Sequence, residues 1–291
     1  MFRITALGFA VVLGVAATGA FGQDVVRDVP YGPDAANKMD IYKPISRGPF
    51  PAIIYIHGGG WWNGDKSSVS RGLVNRAIAR DVAVVSINYR TILDAKRDRI
   101  FPLVEAPLKD TLSAFEFLFN KGAGEGIDGR RLAAFGDSAG GYNALWLGLT
   151  VGKNAVRAVG GVNAQTTIDP IEESEWVSPN IEYGGHAFGL AEKDFATFLR
   201  QRDSYKAFFP KLSPSYLVGP GAPPIYLLYW GKLNGVETDH MSLVHSPGFG
   251  AGFARVAKDR GVQVTFVDSA KEDNSRYLKF LDFLIDQARA D

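Results

Sequence analysis

The segment Gly136-Asp137-Ser138-Ala139-Gly140-Gly141 constrains the fold of this chain more than any other part of the sequence. An apolar run at 131–135 precedes it, and a second apolar, helix-permissive run at 142–147 follows it. A strand, a Gly-x-Ser-x-Gly turn and a helix, in that order, lift a serine off the edge of a sheet. The helix that begins there points backbone N–H groups at any negative charge beside the serine. The pattern therefore predicts a strand–turn–helix unit with Ser138 as a nucleophile.

A second glycine motif lies upstream. Residues 51–56 predict a buried strand that runs into His57-Gly58-Gly59-Gly60-Trp61-Trp62. Successive glycines can bring N–H groups within bonding distance of an oxyanion, because no side chain stands in the way. Alone, such a tract is equally typical of a flexible turn; followed by the serine turn, it predicts an oxyanion-binding loop. Trp61 and Trp62 come directly after the glycines, so we expect them to wall a substrate pocket.

In this order the two motifs resemble the α/β-hydrolase superfamily, and within it the esterases and lipases with an HGGG loop. That group includes hormone-sensitive-lipase-like and feruloyl-esterase-like enzymes. The resemblance implies hydrolysis of carboxylic esters through a Ser138 acyl-enzyme, without a cofactor. It also implies that the N–H groups of Gly59, Gly60 and Ala139 hold the oxyanion.

The rest of the chain alternates between strand and helix patterns, which favours an α/β fold: a mostly parallel, twisted sheet with helices on both faces. Further strands are predicted at 38–42, 82–89, 156–162, 224–230 and 262–267, and helices at 68–80, 107–120, from about 246 and from about 273. The segment at about 165–218 breaks the alternation and resembles the cap of many α/β-hydrolases. Within it, 192–206 is compatible with a helix.

The partners of the serine are harder to predict. In the resembling family an acid follows the strand that ends here at Trp230, and a histidine follows the last strand. The first loop offers Glu237 and Asp239, of which Asp239 is nearer the family's position. The second loop, 268–275, contains no histidine, and Glu272 stands near the place where the family has one.

The chain has four histidines. His57 belongs to the glycine loop and is expected to support its shape. His186 lies in the insertion, so it could reach the site only from above. His240 and His245 lie on the acid loop, at the correct end of the sheet, although His245 could equally be a structural residue before a helix.

Two hypotheses remain open on these residues. The first is a rearranged triad with Ser138 as nucleophile, His245 or His240 as base, and Asp239 or Glu272 as orienting carboxylate, because triads are defined by geometry rather than chain order. The second is a non-catalytic ligand-binding protein on the same fold, which the missing histidine favours. An amidase or peptidase is a further enzymatic alternative.

Composition restricts compartment and partners. Residues 1–22 have the charged, apolar and small-residue regions of a secretory signal peptide, which predicts a secreted or periplasmic protein with one domain at 23–291. The apolar core of that segment is short for a membrane-spanning helix. With 32 basic and 31 acidic residues and no basic stripe, nucleic acid is not an expected partner, and a small-molecule ester is. No cysteine and no metal-binding motif are present, so no metal site is predicted.

Overall fold

A single eight-stranded sheet organises the computed structural model, which describes residues 22–191, 194–231, 233 and 239–290. The strands stand in the order β1-β2-β4-β3-β5-β6-β7-β8; the β1–β2 and β2–β4 pairs are antiparallel and all later pairs are parallel. They are β1 (Gln23–Pro30), β2 (Lys38–Pro44), β3 (Phe50–Ile56), β4 (Ala83–Ile87), β5 (Ile127–Asp137), β6 (Ala158–Val162), β7 (Ile225–Trp230) and β8 (Val264–Ser269).

Helices connect and cover these strands. They are α1 (Arg71–Ile78), α2 (Ile92–Arg97), α3 (Glu105–Lys121), α4 (Ala139–Val151), α5 (Pro170–Trp176), α6 (Phe195–Arg200), α7 (Arg202–Tyr205), α8 (Phe209–Leu212), α9 (Pro214–Leu217), α10 (His240–Val244), α11 (Pro247–Asp259) and α12 (Asn274–Arg289). Short 3₁₀ turns lie at Lys66–Ser68, Gly122–Glu125 and Gly185–Phe188.

The core lies on both faces of the sheet. On one face, α1 and α12 pack apolar side chains such as Leu73 and Phe280 against the strands. On the other face, α3, α4 and α11 do the same with residues such as Phe115, Leu145 and Phe253. Central strands covered on both faces must be apolar throughout, and all residues of β3 and β4 are buried. The predicted parallel sheet with helices on both faces is thereby confirmed.

The sequence pattern did not predict every element. Strand β1 was not predicted because it is a half-exposed edge strand that pairs only with β2. Helix α2 was not predicted either, being a six-residue segment with a capping box at Thr91. Inside the insertion the expected helix at 192–206 is instead two short helices, α6 and α7, which meet at Gln201; residues 192 and 193 lie outside the described part of the chain.

The amino-terminal segment is described only from Gly22 onward, so the predicted signal peptide otherwise lies outside the described residues. Within the described part of the chain, every helix is too short or too polar to cross a bilayer. The carboxyl ends of β3, β5, β6 and β7 meet at one edge of the sheet. The two glycine motifs and the acid loop follow these strands and therefore lie at that edge.

Candidate active site

The serine turn has the strained geometry of a nucleophile elbow. Ser138 joins β5 to α4 with φ +52° and ψ −124°, a conformation that non-glycine residues rarely adopt. The turn is tight enough that a Cβ on Gly136 or Gly140 would lie 2.3 or 2.0 Å from the carbonyl oxygen of Ile56. The Ser138 N–H donates to the carbonyl of Val162 on the neighbouring strand at 2.8 Å, which fixes the elbow to the sheet.

The glycine loop after β3 lies directly against this elbow. A Cβ on Gly58 would stand 2.8 Å from the carbonyl oxygen of Asp137. Gly59 and Gly60 have φ values of +110° and +59°. Neither donates its N–H to an acceptor among the described residues, and the Ala139 N–H, at the first position of α4, has no intrahelical acceptor. Three backbone donors are thus available at this end of the sheet.

His57 supports the glycine loop and does not reach the serine. Its ring stacks on Tyr89 with ring centres 4.2 Å apart, and the Tyr89 hydroxyl donates to the His57 carbonyl at 2.8 Å. Its Nδ1 lies 2.9 Å from the carbonyl oxygen of Gly58, which can only accept, so Nδ1 carries the proton. Burial lowers the pKa of His57, which keeps the ring neutral in this structural role.

The histidine that meets the serine is His245. Its Nε2 lies 2.9 Å from Ser138 Oγ, hydrogen-bonding distance for a base that accepts the hydroxyl proton. His245 is the C-cap residue of α10, and the next residue, Ser246, is the N-cap of α11. His245 therefore lies at the junction of the two helices. Burial lowers the pKa of His245, while a polar contact with the backbone of Met241 raises it to a smaller extent. The imidazole is therefore neutral near pH 7 and able to accept a proton.

Neither predicted carboxylate reaches this imidazole. Asp239 is the N-cap of α10, and its oxygens accept from the N–H and the hydroxyl of Ser242. These bonds lower the pKa of Asp239. An N-cap side chain folds onto its own helix start, whereas His245 lies at the other end of α10. No carboxylate of residues 22–191, 194–231, 233 or 239–290 hydrogen-bonds to His245, and in this structure Asp239 caps α10 instead of orienting the imidazole. Glu237, the other acid of this loop, lies outside the described residues.

Glu272 lies elsewhere. It is exposed and lines a second cavity, of about 410 Å³, together with Asp137, Trp230 and Tyr277. Asp137 forms the partition between this cavity and the one beside Ser138. Burial raises the pKa of Asp137 to about 6, although the Tyr55 hydroxyl donates to it at 3.0 Å.

The cavity beside Ser138 has a volume of about 820 Å³. Its lining combines the glycine loop, the dyad of Ser138 and His245, and a mainly apolar wall from the insertion and α10. The lining residues are Gly58, Gly59, Gly60, Trp62, Asn63, Asp137, Ser138, Gln165, Tyr183, His240, Met241, Val244 and His245. No lysine or arginine stands among them.

The two tryptophans after the glycines lie in different environments. Trp62 lines the cavity. The prediction that Trp61 does so is wrong: Trp61 has φ +62°, which turns its side chain into the core, where it is fully buried. There its Nε1 donates to Asn143 at 2.8 Å and its ring meets the edge of Tyr142. His186 packs between the two tryptophans and Tyr183, and burial lowers its pKa to about 4.

Sequence reasoning missed two polar residues of the cavity wall. The buried Gln165 accepts a hydrogen bond from the Tyr183 hydroxyl at 3.2 Å. Gln165 follows β6 by three residues, and polar residues just beyond a buried parallel strand lie at the edge where sites form. That signal could have found it. No comparable sequence pattern indicates Tyr183, because it lies in an irregular segment of the insertion.

The sheet order, the strained serine between strand and helix, and the glycine loop against it define the α/β-hydrolase fold. Residues 39–240 match the BD-FAE family, and the chain belongs to that family. The matched range contains Ser138 and the glycine loop and ends before His245.

The relatives that the chain resembles in sequence are named as ester hydrolases. The chain is 27% identical over 195 residues to an ethyl acetate hydrolase of Pseudomonas putida, covering 65% of this chain and 58% of that protein. It is 26% identical to an isoprenylcysteine alpha-carbonyl methylesterase of Arabidopsis thaliana (75% and 51%), and 23% identical to the esterase LipC of Mycobacterium tuberculosis (78% and 59%). The matches thus span between half and three fifths of the relatives' length.

Solved structures share the fold. A truncated carbohydrate esterase from gut microbiota superimposes with a TM-score of 0.70 at 20% identity, covering 92% of this chain and 97% of that one. Carboxyl esterase 2 of the fungus Tuber melanosporum gives a TM-score of 0.62 at 21% identity, covering 94% and 89%. At these identities the likeness establishes the fold alone.

Proposed function

We propose that this protein is a serine hydrolase of carboxylic esters that uses Ser138 as nucleophile and His245 as general base. The observation that carries the proposal is the 2.9 Å contact between Ser138 Oγ and His245 Nε2 at the mouth of the glycine loop. A serine hydroxyl is a weak nucleophile until an adjacent base accepts its proton. The esterase names of the relatives support the same reaction class.

The reaction follows from the positions of these groups. His245 Nε2 takes the proton from Ser138 Oγ as that oxygen bonds to the ester carbonyl carbon. The N–H groups of Gly59, Gly60 and Ala139 receive the oxyanion. His245 then returns the proton to the departing alcohol, leaving an acyl-enzyme that water hydrolyses by the same proton route.

Among the described residues, which do not include Glu237, the dyad has no carboxylate partner, and it would work without one. The backbone of Met241, in contact with the ring, takes the orienting part that an aspartate takes in a triad. A backbone carbonyl has no full charge, so it stabilises the imidazolium less than a carboxylate does. We therefore expect a slower enzyme than one with a complete triad.

The cavity favours uncharged esters. No lysine or arginine of the described residues lines it, so among them a substrate carboxylate or phosphate would find no cationic partner. Trp62, Tyr183, Met241 and Val244 supply an apolar surface suited to a short acyl group or alcohol. The binding-protein alternative rests on the absence of a histidine after β8, whereas the contact between His245 and Ser138 supports the catalytic proposal.

The test uses a fluorophosphonate probe and p-nitrophenyl acetate. Wild-type protein should be labelled at Ser138 and should hydrolyse the ester, and Ser138→Ala should lose both. His245→Ala should reduce turnover by a factor of about 10³ or more, because the members of such a unit act together. Folded protein that neither labels nor turns over at any pH from 5 to 9 would rule out the proposal.

Asp239→Asn separates the dyad from a triad. Asparagine keeps the N-cap acceptor of α10 but removes the charge. If Asp239 oriented His245, this change would cost about 10⁴ in kcat, as in triad enzymes; the dyad predicts a change of less than about threefold.

We further propose that the chain is exported, on the strength of the signal-peptide pattern of residues 1–22. Expression of the full sequence in a bacterium should give a mature protein that begins near residue 23 in the periplasmic fraction. Mature-length protein confined to the cytosol, with its first residues intact, would contradict export.

A further inference from the structure

We infer that Gln165, held by Tyr183, is a positioning residue that sets the place of the His245 ring. The inference rests on the proposed function, since it concerns the base of that reaction. It assigns to the insertion, which supplies Tyr183, a part in catalysis besides shaping the cavity.

The contacts of Gln165 link three separate parts of the chain. Its side chain is fully buried and follows β6. Its Nε2 donates to the backbone carbonyl of Val244, the residue immediately before His245. Its Oε1 accepts from the hydroxyl of Tyr183 at 3.2 Å.

The bond from Gln165 to Val244 satisfies a backbone carbonyl at the end of a short helix. Helix α10 has only five residues, and the last carbonyls of a helix lack intrahelical donors. The Gln165 amide satisfies the final carbonyl of α10 and ties the Val244–His245 peptide to the end of the sheet. With no carboxylate of the described residues on its ring, His245 depends for its position on its own backbone and on its contacts with Met241 and Ser138.

Val244 and Tyr183 together determine which way the amide faces. The Val244 carbonyl can only accept, so the NH₂ group of Gln165 must point to it. That leaves Oε1 for the Tyr183 hydroxyl, which donates. Removing this hydroxyl allows the amide to rotate, and the opposite orientation would place two acceptors against each other.

The test compares Gln165→Met and Tyr183→Phe with a matched pair on the surface. Tyr205 donates to Gln201 at 3.1 Å in an exposed part of the insertion, so Gln201→Met and Tyr205→Phe remove a bond of the same kind between residues that do not line the cavity. Each variant is checked for folding by thermal melting. Two quantities are measured: kcat and KM for p-nitrophenyl acetate, and the ¹⁵N signals of the His245 ring, assigned with His245→Gln.

A displacement of the base by a fraction of an ångström to 1 Å reduces rates by up to about 100-fold. We therefore expect Gln165→Met to lower kcat by about 10- to 100-fold with KM within about threefold of wild type. Tyr183→Phe should lower kcat by about three- to tenfold. In both, the His245 ring signals should move from those of a single tautomer toward an average of two, while the surface pair changes nothing.

Other results would overturn the inference. A raised KM with unchanged kcat would make Gln165 a substrate contact. Unchanged His245 signals in folded Gln165→Met would show that the base keeps its place without the amide. Should Gln165→Met not fold, Tyr183→Phe, which loses a single oxygen, decides by the same criteria. The ring signals require no turnover, so an inactive wild-type protein would refute the proposed function and still leave the positioning role to be read.

Discussion

Asp137 stands beside the nucleophile with a carboxyl group that the fold makes costly to ionise. Replacing it by asparagine should stabilise the protein at neutral and alkaline pH. The replacement keeps size and shape, and the amide oxygen can still accept the hydrogen bond from Tyr55. What it removes is a negative charge between two cavities.

The size of the effect follows from the pKa. Burial raises the pKa of Asp137 from an ordinary 3.8 to about 6. Two units at about 1.4 kcal/mol each give an upper limit of about 3 kcal/mol. Below pH 3.8 both folded and unfolded chains hold the proton and nothing is lost. Between pH 3.8 and 6 the unfolded chain ionises first, so stability falls; above pH 6 the full cost is present.

Urea unfolding, followed by tryptophan fluorescence at pH 4 and pH 8, measures this difference. Asp137→Asn should exceed wild type by about 1–3 kcal/mol in the free energy of unfolding at pH 8 and by much less at pH 4. Asp128→Asn, on the same strand, is a control of opposite sign. Burial raises the pKa of Asp128, but hydrogen bonds from Arg130 and Arg131 outweigh it and lower the pKa, so this variant should lose stability at pH 8. Equal effects of Asp137→Asn at both pH values would refute the reasoning.

Three further outcomes are expected. Because burial lowers the pKa of His245 below its ordinary 6.5, the fall of kcat/KM on the acid side should have its midpoint below pH 6.5 in initial-rate measurements; a midpoint above 6.5 would contradict this. Gly140→Ala should fail to fold, since its Cβ would lie 2.0 Å from a backbone oxygen, whereas Gly72→Ala, with no atom within 4 Å of the new Cβ, should gain about 0.5–1 kcal/mol in urea unfolding. Wild type should lose stability between pH 6.5 and 4 as the unfolded chain protonates His186 first, and His186→Phe should abolish up to about 3 kcal/mol of that loss, as a series of urea titrations would reveal.

The sheet and the elbow could be predicted from the sequence because each depends on a pattern within a short segment of the chain. Fully buried parallel strands need continuous apolar runs, and the turn at Ser138 needs glycines where a Cβ would strike the neighbouring strand. Edge strand β1 escaped prediction because an exposed strand leaves no such pattern.

The dyad could be predicted only as an alternative. His245 and Ser138 are 107 positions apart, and their contact depends on how α10 meets α11. Asp239 had the expected position in the chain, but an aspartate before a short helix serves equally well as a cap, and that use prevailed. Trp61 and Trp62 are the same residue type at adjacent positions, and a sequence pattern does not specify the positive φ of Trp61.

Both proposed reacting groups precede residue 246, which has a consequence for the last part of the chain. Strand β8 and helix α12 contribute packing, with Phe280 lying where a Cβ on Gly160 would touch it at 2.7 Å. The turn between α11 and β8 contains Gly261, which has open space around it and a φ of +74°. If the chain were divided at this turn, the first fragment would contain Ser138 and His245. The second fragment would contain β8, the last strand of the sheet, and α12. If the first fragment folds only when the second binds it, ester hydrolysis would measure the association of the two fragments.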